Sequence, residues 1–122
     1  MTQERLSLGK FGEDLAFKEI KRLGYKKILR NYRCPLGEVD LVAIDGDTLV
    51  FIEVKTRKGR SLSYAKEAVN AKKRRQLSKV ALFYMKTNNL NGVRARFDVV
   101  AVSLAGGEQQ VELIRNAFEL AY

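Results

Sequence analysis

The chain has 122 residues, 46% hydrophobic and 30% charged, and 23 Lys and Arg against 14 Asp and Glu give a net charge of +9. That length suits one domain spanning residues 1–122 that buries its own core. With no apolar run near the roughly 20 residues of a membrane span and no signal-peptide core after Met1, a soluble cytoplasmic protein is expected. One cysteine and no histidine exclude an internal disulfide, the usual structural zinc sets and Ser-His or Cys-His nucleophile pairs, so any hydrolysis must rest on carboxylates, lysine and a metal.

Leu8 to Leu23 has helical spacing, with Leu8, Phe11, Leu15, Ala16, Ile20 and Leu23 on one broad face and Gly24 as its stop. Glu13 falls at the edge of the apolar arc. It either reaches solvent as a border residue or points toward what the helix covers. Lys26 to Arg33 reads as a first strand carrying Arg30 and Arg33, and Cys34-Pro35-Leu36-Gly37 turns the chain, with Cys34 read as a packing residue.

Gly37 to Lys58 is the organising stretch. Two β-rich runs, Val39 to Ile44 and Leu49 to Val54, flank Asp45-Gly46-Asp47-Thr48, a strong hairpin signal. If Gly46 and Asp47 form a two-residue loop, Asp40 stands opposite Glu53, Glu38 opposite Lys55, Val42 opposite Phe51 and Val39 opposite Val54. Directly opposed residues share a face, with Cβ atoms about 4.5 to 5.5 Å apart. A slip of one residue would put Asp40 and Glu53 on opposite faces. Strands apolar on both faces suit a sheet covered on both sides, so the two acids would meet at the rim of a buried sheet. There they repel, and a cation or a shifted pKa relieves the repulsion. Magnesium, which takes one or two carboxylates with waters and substrate phosphates, fits the pattern. The alternative is that Glu53 and Lys55 form a solvated rim pair.

Thr56 to Ser61 reads as a basic loop, placed to hold phosphates or simply solvated. A second helix is expected from Ala71 with Asn70 as its N-cap and with Leu77, Val80, Ala81 and Tyr84 facing inward. Its run Lys72-Lys73-Arg74-Arg75 is either a solvated face or a phosphate contact. Arg94 to Val102 reads as a strand with Asp98 inside it, Ala105-Gly106-Gly107 as a turn, Gln110 to Ile114 as a short last strand and Asn116 to Tyr122 as a closing helical turn. The expected fold is α/β, a mixed β-sheet in the order α-β-β-β-α-β-β with helices on both faces.

Asp40, then 12 residues, then Glu53-Val54-Lys55, on a hairpin behind a helix carrying Glu13, resembles the PD-(D/E)XK nuclease superfamily with its restriction-endonuclease-like fold. More closely, the chain resembles the bacterial YraN family of small nuclease-like proteins, similar to archaeal Holliday junction resolvases. The blocks that match are Gly9 to Glu13, Arg30 to Arg33, Gly37 to Leu41, Val50 to Arg57, Arg96 to Val100 and Asn116 to Phe118. It departs where many members carry a histidine, here Leu113, and a glycine, here Ala65 after Tyr64.

The resemblance implies metal-dependent hydrolysis of phosphodiester bonds in DNA, including branched or junction DNA. Asp40, Glu53 and the Val54 carbonyl would hold Mg2+ or Mn2+, Glu13 would complete the site, and Lys55 would orient the attacking water with Glu38 as its ion-pair partner. Arg57, Lys58, Arg60, Lys72, Lys73, Arg74 and Arg75 would contact the nucleic-acid backbone, for which the positive charge is the expected electrostatic footprint. Resolvase-like enzymes often act as homodimers. The alternative is a non-catalytic nucleic-acid-binding module of the same fold.

Overall fold

The computed structural model describes residues 3–58 and 69–119. Their elements are α1 (Gln3–Arg22), β1 (Lys26–Cys34), β2 (Gly37–Asp45), β3 (Thr48–Lys58), α2 (Ala71–Thr87), β4 (Ala95–Ala105) and β5 (Glu108–Phe118). This is the expected α-β-β-β-α-β-β order. The five strands form one mixed sheet in chain order, antiparallel throughout except between β3 and β4. A parallel pair needs a long crossover, and α2 lies within that connection.

Alternation along the strands sorts the core into two layers. Val42, Phe51, Phe97, Val99 and Ala101 pack with Leu77, Val80 and Ala81 of α2. Leu41, Ala43, Val50, Ile52, Val100 and Val102 pack with Ala16 and Ile20 of α1. The helices therefore cover opposite faces of the sheet. Asn70 caps α2 as expected, its side chain accepting the Lys73 amide at 2.9 Å.

The hairpin closes on the two-residue turn: Asp45 pairs with Thr48, Ile44 with Leu49 and Leu41 with Ile52. Gly46, at φ 63°, takes the left-handed conformation such a turn requires. Past Leu41 the pairing changes character. The β1–β2 ladder pairs Arg30 with Leu41 and Tyr32 with Val39 but skips Asn31 and Asp40, and Asn31 has φ 56°. Val39 consequently packs on the α2 side of the sheet while Val54 packs on the α1 side. The expected Val39–Val54 pairing is thus overturned: the alternation of β2 flips at Asp40, opposite the left-handed Asn31, while the β1–β2 register is the same on either side of that point.

Three further expectations are corrected. Thr56, Arg57 and Lys58 do not open a loop but extend β3, pairing with Val102, Ser103 and Leu104 of β4. The last strand runs from Glu108 to Phe118, held along β4 despite its polar sequence. Asn116, Ala117 and Phe118 end that strand instead of beginning a helical turn, and Phe118 stacks on Phe97 at 4.7 Å between ring centroids.

On β4, level with Ile52 of β3 and Leu41 of β2, Asp98 is wholly buried, and the β4–β5 register shifts around it. Its carboxylate accepts hydrogen bonds from the Tyr25 hydroxyl at 2.7 Å, Arg96 Nε at 2.9 Å and the Asn116 amide at 2.9 Å. Arg96 also donates to Asp45 at 2.7 Å. This cluster ties β4 and β5 to the hairpin turn and to the segment after α1.

Candidate active site

Asp40 sits where the hairpin ladder ends, and the Val54 amide, with no strand carbonyl opposite, donates to Asp40 Oδ2 at 2.8 Å. A strand amide points in the plane of the sheet, so the carboxylate that receives it lies in that plane, between β2 and β3. It can be reached from both faces. Glu53 approaches it from the α2 side and its carboxylate acts on it. The paired register stops one step short, at Leu41 and Ile52, so the expected direct pairing of Asp40 with Glu53 is not part of the ladder.

Glu13 approaches from the α1 side. Its helix is seated hard on β3: a Cβ added to Gly12 would lie 1.8 Å from Thr56 Oγ1 and 2.9 Å from Thr56 Cβ. That close approach, open only to glycine, brings the next residue to the sheet end. A cleft of about 380 Å3 follows, lined by Glu13, Asp40, Val54, Lys55 and Thr56 with Leu8 and Gly9.

Burial, then the shared hydrogen bond and the charge of Glu53, push the Asp40 carboxyl up to about 8, against the opposing pull of the Val54 amide and Lys73. Burial and the Asp40 charge also raise Glu13, while Arg30 and the Asn31 side chain act the other way. Two buried side-chain polar atoms among the described residues have no hydrogen-bond partner: Glu13 Oε1 and Glu53 Oε2. Both belong to carboxylates that act on Asp40, one on each side.

Among the described residues, no three Asp, Glu, Cys or His side chains form a ready-made metal cage. The contact pair Asp40 and Glu53 with an orphaned oxygen nevertheless matches what a hard divalent cation asks of a protein, which is one or two carboxylates with the remaining positions left to water and substrate.

The other expected site residues fall into distinct places. Lys55 lines the cleft with Glu13 and Asp40. Glu38 does not face Lys55; it pairs with Arg33 across the β1–β2 ladder, at 3.1 Å, because β2 has left β3 by that point. Arg57 and Lys58 lie on β3 beyond the cleft, and Arg60 lies outside the described residues. The α2 run is split by its helix. Lys72 and Arg75 are exposed, whereas Arg74 donates to the Val69 carbonyl at 2.8 Å and lies over the Phe118 ring. Lys73 reaches back to Glu53, its Nζ 3.5 Å from Oε2, an ionic contact without hydrogen-bond geometry.

Sequence reasoning missed two positioning residues. Asn31 was legible only as a residue type that tolerates the left-handed region. The contact of Lys73 with Glu53 had no local signal.

The model of the uncharacterised protein family UPF0102 matches residues 12–102. A UPF0102 protein of Syntrophus aciditrophicus is 48% identical over 122 residues, covering 100% of this chain and 95% of its own. One of Geobacter sulfurreducens is 49% identical over 116 residues, covering 94% and 91%. One of Syntrophotalea carbinolica is 46% identical over 120 residues, covering 98% of each.

Proposed function

The chain belongs to the UPF0102 family, and we propose that it is a metal-dependent nuclease of the PD-(D/E)XK type, hydrolysing phosphodiester bonds of DNA, including branched DNA, in the cytoplasm. The observation that carries this reading is the pair of orphaned carboxylate oxygens, Glu13 Oε1 and Glu53 Oε2, on either side of an Asp40 whose proton is held up to about pH 8. Buried polar atoms without partners cost stability, and their collection around one aspartate supports a cation site.

Asp40, Glu53, the Val54 carbonyl and Glu13 would hold Mg2+ or Mn2+. Such an ion, when bound, supplies Lewis-acid polarisation of the phosphoryl oxygen and a water of lowered pKa. Lys55, in the same cleft, orients the attacking water and offsets charge that develops on the phosphate. The exposed Lys72, Arg75 and Lys58, with Arg57, supply backbone contacts that add affinity without reading sequence. A homodimer would present two such clefts to two strands.

A binding module that holds nucleic acid without cutting it is the second reading. It draws on Lys73, which already gives Glu53 a cation.

Cleavage of forked, four-way and single-stranded DNA with Mg2+ or Mn2+ separates the two readings. Asp40→Asn and Glu53→Gln should each reduce cleavage by about 100-fold or more while DNA binding persists. Tight binding with no metal-dependent cleavage of any substrate would favour the module. Absent or salt-insensitive binding would remove both.

A further inference from the structure

Lys73 occupies the third position of α2, counted from the Asn70 cap. The positive end of a helix dipole disfavours a cation there and favours an acid, yet the first turn of α2 contains no acidic residue. A tertiary partner offsets that local cost. The Lys73 ammonium lies 3.5 Å from Glu53 Oε2, an oxygen with no hydrogen bond of its own. The lysine side chain is 33% exposed and the glutamate 7%. The anion is therefore fixed inside the site, while the cation reaches it from the solvent side and can leave without unfolding the helix. Arg74, the neighbouring cation, is committed to the Val69 carbonyl and Phe118. Lys73 alone of this pair points its charge at the acids.

We propose that Lys73 is a built-in counter-ion of the acidic pair: its ammonium competes with the divalent cation for Glu53 and, once displaced, is free to grip a phosphate of the nucleic-acid backbone. The inference rests on the metal-site reading above and adds a rule for how that site is loaded. The ammonium and the divalent ion exclude each other at one oxygen, so whatever draws Lys73 away tightens metal binding. By linkage, metal that displaces Lys73 strengthens phosphate binding by the same factor. Lys73 acts here through Glu53 and is a positioning residue.

The test is calorimetric titration of Mn2+ into the DNA-free wild-type protein, Lys73→Met and Lys73→Arg, with circular dichroism to establish that each is folded. Methionine keeps the apolar stem and removes the charge. Lys73→Met should bind Mn2+ about 3- to 10-fold more tightly than the wild type, as expected for loss of a partly screened competing charge. Lys73→Arg, which keeps the cation, should stay near the wild-type value. Equal or weaker binding by Lys73→Met would overturn the inference and leave the metal site standing. No binding by any of the three, at millimolar Mn2+, would overturn the metal site itself and this inference with it.

Discussion

Two aspartates on the same sheet interrupt its ladders in the same way and end in opposite electrostatic states. Asp98 sits at a register shift in β4 and takes the amide of Asn116 from β5; Asp40 sits where β2 leaves its ladder and takes the amide of Val54 from β3. Asp98 is then given a guanidinium and a phenol, so that every charge in its cluster faces an opposite charge or a donor. Asp40 is given a second carboxylate, a third nearby, and an ammonium that touches only its neighbour. Both sites are largely buried, so burial does not explain the difference. What separates them is the sign of the partners: one cluster is complete within the chain, and the other calls for a cation from outside it.

Removing the acid from the complete cluster should produce the larger loss of stability. Asp98→Ala leaves Arg96 Nε, the Tyr25 hydroxyl and the Asn116 amide without their acceptor, with Arg96 still held by Asp45, and unfolding in urea should report a loss of about 3–5 kcal/mol. A cost under about 1 kcal/mol would erase the contrast.

The same kind of change at Asp40 should act in the other direction. Its folded pKa of about 8 lies above the ordinary carboxylate value, so the folded protein holds a proton that the unfolded chain releases. This contribution is fully present below about pH 4 and is lost as pH rises toward 8. Asp40→Asn abolishes it. The metal-free variant should be about 1–3 kcal/mol more stable than the wild type at pH 8.5, with the gain shrinking to nothing near pH 4. Urea midpoints across that range check it, and a pH-independent difference would show that Asp40 is not frustrated.

A smaller effect is expected at the cap that seats Lys73. Asn70→Ala removes the acceptor for the Lys73 amide and should cost about 1 kcal/mol in thermal or urea unfolding. An unchanged midpoint would mean that α2 is held by its packing alone.

Much of this architecture was legible in the amino-acid order. The hairpin register from Asp45–Thr48 to Leu41–Ile52 follows from Asp45-Gly46-Asp47-Thr48 and from alternation on either side, and carrying it one step further pointed to Asp40 and Glu53 as neighbours. Both helices announce themselves by spacing, and Asn70 by its side chain. What escaped depends on partners distant in sequence. Glu108 to Phe118 is polar at Glu108, Gln109, Gln110 and Glu112, and only pairing with β4 makes it a long strand. The break at Asp40 is set by the backbone of Asn31, and it redirects Glu38 to Arg33 and Val39 to the other layer. Asp98 was visible as an acid in an apolar strand, but Tyr25 and Arg115, which complete its surroundings, lie far from it in sequence.

The Val54 amide has a consequence beyond holding the hairpin. A ladder acceptor is normally a peptide carbonyl, whose basicity is fixed; here it is a carboxylate whose charge varies. The peptide group between Glu53 and Val54 is therefore polarised by whatever Asp40 holds, a proton or an ion. Its nitrogen resonance is a native gauge of the site's state, readable in a molecule that carries no added label at the cleft.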